Sequence, residues 1–194
     1  NIRGLYGTME EAFRHSFFQV GSIITTCGYA TTDFDLWPET SKMILVLLMF
    51  IGACAGSTGG GFKISRLLIL CKSIPKQLSL VIHPREVKVI KMDGKSIDHN
   101  TLRATNVYLA IYFIILLVST LLISVDNFNL TTNFTAVAST LNNIGPGLDG
   151  VGPTRNFSMY SDFSKFVLMF DMLAGRLELY PLLVLFMPSL WRRK

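Results

Sequence analysis

The sequence predicts an all-α integral membrane protein. It is built from two related units, each a half-span helix, a glycine-centred loop and a spanning helix. Composition is the first observation. Half of the 194 residues are hydrophobic and only 16% are charged, whereas a soluble domain is nearer a quarter charged. Long apolar runs are the second. Residues 104–125 hold no charge, residues 163–191 form another apolar stretch, and residues 41–71 a third, broken by glycines. A spanning helix needs about 20 such residues. The third observation is an internal repeat. With Gly28 laid on Gly145, Phe17 falls on Phe134, Val20 on Val137 and Ser22 on Ser139. The polar pair Thr25–Thr26 falls on Asn142–Asn143. The segments that follow also match, Ser41-Lys42 with Ser164-Lys165, and each leads to a glycine, Gly52 and Gly175.

Each element follows from its residues. Residues 8–22 form a helix too short, and too polar at its start, to cross a bilayer. Thr25 to Asp35 is a loop. Residues 41–51 begin a span that the stretch from Gly52 to Gly61 interrupts. Glycine costs a helix about 1 kcal/mol relative to alanine, so this stretch cannot stay a rigid helix in lipid and must lie against protein or a wet cavity. Residues 62–72 resume a helix. A hydrophilic segment follows, with Pro75, Pro84 and Asp93-Gly94 as breakers. Residues 104–125 span, residues 131–141 form the second half-span helix, 142–162 its loop and 163–190 the returning span. The organisation is therefore a first unit at 1–72, a basic connector at 73–102 and a second unit at 103–194. The first unit lacks the opening span that the second has. The chain thus reads as a piece of a longer protein, because a pore needs several such units around one axis.

Charge orients the chain. The net charge is +5, and it is concentrated in Lys72, Lys76, Arg85, Lys88, Lys91, Lys95 and the terminal Arg192, Arg193 and Lys194. Asp33, Asp35, Glu39, Asp126, Asp149 and Asp162 sit near the glycine loops or the other helix ends. By the positive-inside rule the connector and the C-terminus are cytoplasmic and both glycine loops face outward. The basic excess reflects this orientation and does not indicate nucleic acid. Cys27, Cys54 and Cys71 form no paired motif, and His15, His83 and His99 lack metal-ligand spacing. The start of the chain has neither the basic n-region nor the apolar core of a cleaved signal peptide.

The loops are candidates for an ion filter. An ion that sheds its water needs oxygen ligands, and stacked backbone carbonyls supply them. Turning successive carbonyls to one side demands dihedrals that glycine tolerates. Thr26, Cys27, Gly28 and Tyr29 follow the filter pattern Thr-Val-Gly-Tyr, and Asn143, Ile144, Gly145 and Pro146 follow it more loosely. Helix C-termini aimed at such a site would favour a cation. Gly56, Ser57, Thr58, Gly59, Gly60 and Gly61 invite a phosphate-loop reading, but Phe62 separates Gly61 from Lys63 and no strand precedes them. A nucleotide-using enzyme is therefore not predicted. A gate beneath the filter is. Asp171, Arg176 and Glu178 lie within the last apolar stretch, where ionisable side chains face a pathway or a partner. Asp171 and Glu178 are seven apart and share a helical face. They could form a packing network with Arg176, or Arg176 could project toward the glycine stretch and help to close it.

At these motifs the chain resembles the C-terminal half of a TrkH-type potassium-uptake subunit, of the superfamily that includes KtrB and plant HKT proteins. Residues 25–34, 52–61, 141–148 and 175–179 carry the resemblance, and the end at 186–193 is similar too. The resemblance implies four membrane-pore-membrane repeats around one pore in the bacterial inner membrane, of which this chain holds most of the third and all of the fourth. It places ion-binding positions on Thr26, Cys27, Gly28, Asn143, Ile144 and Gly145, the gating loop on residues 52–61 and the gating arginine on Arg176. It implies potassium as substrate, no bound cofactor, a multi-pass homodimer in lipid, symport, and a cytoplasmic TrkA-type nucleotide-binding ring docked beneath. Gly28 and Gly145 favour potassium over a sodium-conducting member. Taken alone, the chain is also compatible with a non-conducting truncated scaffold.

Overall fold

The computed structural model describes residues 2–52, 57, 59–83, 89–92, 94–177 and 184. It is mostly helical: α1 Met9–Ile24, α2 Glu39–Phe50, α3 Ile64–Ile82, α4 His99–Ile123, α5 Leu130–Leu141 and α6 Asp162–Leu177. Two short ladders complete it. β1 (Ile51–Gly52) pairs in parallel with β2 (Phe62–Lys63), and β3 (Lys91–Met92) pairs antiparallel with β4 (Lys95–Ser96) across a turn at Gly94.

The repeat in the sequence is a repeat in three dimensions. α1 with α2 corresponds to α5 with α6. α1 and α5 are both capped at their N-termini by a polar side chain: Thr8 accepts from the Glu11 amide and Asn129 from the Thr132 amide, satisfying a donor the helix cannot. α2 and α6 both open with an i,i+3 ion pair, Glu39–Lys42 at 2.6 Å and Asp162–Lys165 at 3.4 Å. A 3-10 turn stands shortly before each, Phe34–Leu36 capped by Asp33 and Phe157–Met159 capped by Asn156.

Packing follows from side-chain size and periodicity. α4 buries Tyr108, Tyr112, Leu116, Ser119 and Ile123 on one stripe and exposes Phe113, Ile114, Leu117, Val118 and Leu121 on the other. That spacing is a helical face, and the exposed face is as apolar as the buried one. Among the described residues, one helical stretch, His99–Asp126, is long and apolar enough to cross a membrane. α4, α5 and α6 pack against one another, each touching the other two. The small residues Ala136, Ala138 and Ser139 of α5 are fully buried, which lets the backbones approach closely. α1 has no counterpart of α4 in this chain, and it exposes Met9, Phe13 and Phe17.

One expectation is revised. α3 continues through Pro75 to Ile82 instead of stopping near residue 72. A proline inside a helix removes one hydrogen bond and kinks it, but long helical flanks hold it, and nearby Ser73 Oγ donates back to the Leu70 carbonyl at 2.8 Å. Of the two alternatives for an ionisable residue in this stretch, a pathway or a partner, Asp171 has a partner on α4. It is fully buried against α4, where Ser119 Oγ donates to its Oδ1 at 2.7 Å. Glu178 lies outside the described residues.

Candidate functional site

The two glycine loops are built in the same way. α1 ends at Thr25 and α5 at Asn142, each with φ and ψ near the bridge region. The next amide folds back onto the last turn: Thr26 N donates to Ile23 O at 3.1 Å and Asn143 N to Thr140 O at 3.0 Å. The one after does the same, Cys27 N to Ser22 O at 2.9 Å and Ile144 N to Ser139 O at 2.8 Å. Positive φ falls on alternate residues in both loops, 54° at Thr26 and 79° at Gly28, 55° at Asn143 and 109° at Gly145. Asparagine tolerates this region, but a β-branched threonine there is a steric outlier, and strain of this kind is held where the surroundings enforce it. The sequence alignment of Thr26 with Asn143 and of Gly28 with Gly145 is thus a match of backbone conformation.

The loops also touch each other. A Cβ added to Gly28 would overlap the carbonyl oxygen of Ile144 and lie 3.5 Å from Pro146 Cδ. Ile144 and Leu148 pack into the first unit, among Ile23, Phe34, Leu45, Val46 and Met49. The equivalent groove on the second unit is open. It has a volume of ≈ 510 Å³ and is lined by residues such as Asn143, Ile144, Gly145, Leu168, Met169 and Met172. Met49 is 1% exposed, whereas its counterpart Met172 is 47% exposed. Cys27 and Tyr29 are exposed at the corresponding surface of the first loop, and Pro146 is half-buried.

Side chains on the acidic side clasp the two loops together. The second loop runs twelve positions from Gly145 to Phe157, against six from Gly28 to Phe34. The extra residues form a turn at Asp149–Val151. Asp149 N donates to Asp35 Oδ1 at 3.0 Å, and Thr154 Oγ1 donates to Asp33 Oδ2 at 3.1 Å. Asp149 Oδ2 accepts from Asn129 and from Thr132 Oγ1. These bonds hold its carboxyl below the usual carboxylate range, with Arg155 adding a smaller effect. Inside the first loop, Ser22 Oγ donates to Tyr29 O at 2.6 Å, and the buried Gln19 amide accepts from Thr31 N.

The last glycines of the glycine-rich break pack against Asn142, at the start of the second loop. Gly56 and Thr58 fall outside the described residues. Ser57 Oγ accepts from the Gly59 amide at 3.1 Å. Gly60 and Gly61 are buried. A Cβ on Gly60 would overlap the carbonyl oxygen of Asn142, and one on Gly61 would lie 2.9 Å from Asn142 Oδ1. Only glycine allows this approach, and φ of 83° at Gly61 asks for glycine as well. Gly175 of α6 is equally constrained, since a Cβ there would overlap the Leu141 carbonyl. The next residue, Arg176, lines a small cavity of ≈ 200 Å³ with Ser57, Gly59, Gly61, Lys63, Arg66 and Tyr108. Arg176 thus lines one cavity with the described residues Ser57, Gly59 and Gly61 of the break. The aromatic set that frames the break, Phe50, Phe62, Tyr108 and Tyr112, was not anticipated. Nor were the aspartates that join the loops. Among the described residues no His, Cys, Asp and Glu group could hold a metal ion.

Comparison with known proteins bears on this arrangement. The family model described as TrkH, cation transport protein, matches residues 7–193. The chain belongs to the TrkH family. The Trk system potassium uptake protein TrkH of Vibrio parahaemolyticus is 39% identical over 187 residues, which cover 96% of this chain and 38% of that protein. The protein of the same name from Escherichia coli K12 is 38% identical, over 98% of this chain and 39% of its own length. Its TrkG from the same strain is 32% identical over 189 residues. The crystal structure of the potassium transporter TrkH from Vibrio parahaemolyticus matches with a TM-score of 0.86, covering 96% of this chain and 40% of that one. The chain thus spans about two fifths of the length of the relatives it matches. The TrkH family is one of cation transport proteins, not a class of enzymes.

Proposed function

We propose that this chain is part of the pore-forming subunit of a Trk-type potassium uptake system, multi-pass in the bacterial inner membrane. In this reading each unit is a membrane-pore-membrane repeat, with α1 and α5 as pore helices. The backbone carbonyls around Thr26, Cys27, Gly28 and Tyr29, and around Asn143, Ile144, Gly145 and Pro146, contribute to one filter. The observation that carries the reading is the pairing of two loops with positive φ on matched alternate residues, in contact through Gly28 and Ile144. One repeat alone would read as a turn. Two that share a strained backbone and meet head to head fit a common ligand path. The open groove on the second unit and the bare face of α1 fit cover by further repeats of the same protein, in the way Ile144 and Leu148 cover the first unit.

The stretch Gly56, Ser57, Thr58, Gly59, Gly60 and Gly61 is read as an intramembrane gate, with Arg176 beneath it opposing a passing cation. An arginine is charged at any physiological pH. A homodimer, symport and a TrkA-type ring under the basic connector belong to the same proposal and rest on the family's system of uptake. The test is potassium uptake by the full-length parent in a potassium-uptake-deficient host. Growth at low potassium is expected with the native protein. Gly145→Ser is expected to lower potassium-over-sodium preference. Unaltered preference in Gly145→Ser and Gly28→Ser alike refutes the filter assignment.

A further inference from the structure

We propose that Tyr112 is a positioning residue that couples the glycine-rich break to the second filter loop. The inference rests on the filter-and-gate reading above. Tyr112 sits on the buried stripe of α4, 3% exposed. Its ring meets Phe50 edge-on with centroids 6.5 Å apart, and it meets Phe62 at 6.5 Å. Phe50 is the last residue of α2 and Phe62 the first after the break. The parallel bridge that pairs Ile51 with Phe62 fixes these two ends to each other. Tyr112 therefore touches both hinges of the break at once.

Its other end reaches the filter. Tyr112 Oη donates to Asn142 Oδ1 at 2.8 Å, in a fully buried bond. Asn142 caps α5 and immediately precedes Asn143, the first candidate filter position. Its backbone carbonyl packs on Gly60 and its Oδ1 on Gly61. A displacement of the break moves the Phe50–Phe62 platform, and the hydroxyl carries that displacement to Asn142. The carbonyls at Asn143 and Ile144 then change their spacing, and with it the fit to a bare cation.

The first unit supplies an internal contrast. Thr25 stands where Asn142 stands in the second. Thr25 Oγ1 donates to Gly21 O at 2.7 Å, as Asn142 Nδ2 donates to Ala138 O at 2.7 Å. A threonine thus satisfies the helix end. What asparagine adds is an acceptor for Tyr112. Asn142→Thr is therefore a substitution that keeps the cap bond and removes the coupling bond.

The experiment uses the full-length parent in liposomes at matched incorporation, with potassium and sodium flux measured for Tyr112→Phe, Asn142→Thr, the double variant and Gly145→Ser. Each single variant is expected to lower the potassium-to-sodium flux ratio by about three- to tenfold, the range of one buried hydrogen bond. The double variant is expected to match the larger single effect, because both remove the same bond. A residue that only packs would reduce incorporation or thermal stability and leave the ratio alone. Two independent shifts that multiply in the double variant overturn the coupling. So does an unchanged ratio in both singles while Gly145→Ser shifts it. If Gly145→Ser is also without effect, the filter reading fails first, and the coupling falls with it.

Discussion

Gly28→Ala and Gly145→Ala should differ in a way that the two loops dictate. Both glycines have positive φ, 79° and 109°, so any side chain strains the backbone by about 1–3 kcal/mol. Their surroundings are unlike. Around Gly145 an added Cβ meets nothing within 4 Å in this chain. At Gly28 it would overlap the Ile144 carbonyl oxygen and sit 3.2 Å from the Ile144 carbonyl carbon. Both contacts are with backbone, so neither can be relieved by a rotamer change. Either Gly28 withdraws or the Ile144 carbonyl, a candidate ligand, is pushed off the axis. If the strain and the displacement are felt fully at the ion site, about 1.4–3 kcal/mol corresponds to roughly ten- to 150-fold weaker binding. Gly28→Ala should then lose more potassium preference than Gly145→Ala. The assay is competitive potassium and sodium uptake by the full-length parent in liposomes, with incorporation matched by quantitative blotting. Equal small effects of the two variants would refute the reasoning, because the collision at Ile144 is present at only one of them.

Other consequences are open to direct measurement. Arg176→Ala should raise ion flux and reduce its dependence on a cytoplasmic partner; a stable, normally incorporated variant with unchanged or lower flux rejects the gating role. Gly175→Ala would force Leu141 away from α6, an overpacking that costs about 1–3 kcal/mol, and the thermal midpoint of the purified protein should fall by several degrees. Asp149 has a carboxyl held low by bonds from Asn129 and Thr132. Its contribution to stability is present above the ordinary value of 3.8 and is lost as pH falls through the lowered one. Acid unfolding curves should show that loss in the native protein and not in Asp149→Asn. Charge reversal at Lys91, which is exposed and whose carbonyl accepts from Lys72, should weaken docking of a TrkA-type ring in a salt-sensitive way; co-purification that is equal at low and high salt places the contact elsewhere.

Much of this fold was legible from spacing. The helices expected at 8–22 and 131–141 lie within two residues of the ends of α1 and α5, because polar start, apolar face and following glycine recur together. The break at Gly52 to Gly61 was legible because glycine density in an apolar run has few other meanings. Pro75 misled, since a proline signals a helix end only when the flanking turns are weak. For Asp171 the sequence left a pathway or a partner open, because the hydroxyl that donates to it, on Ser119, lies 52 residues away. The same distance in sequence hid the aspartate clasp, whose bonds join residues 114 and 121 apart. It also hid Tyr112, which looks like any aromatic residue in a spanning helix until Phe50, Phe62 and Asn142 are set around it.

The two-residue parallel ladder between β1 and β2 has a consequence for how the sequence can vary. It clips the chain entering the break to the chain leaving it. The ladder is a closed neck, and it sets the end of α2 against the start of α3. Lengthening the stretch between the two strands adds only a slowly growing closure entropy, about 0.6 kcal/mol for each doubling. Residues inserted beside Ser57 should leave the register of both helices intact, whereas one residue inserted between Phe50 and Ile51 would rotate the neck. The length of this stretch and the placement of the helices on either side are in this way separate variables, and a lineage could change one without rebuilding the other.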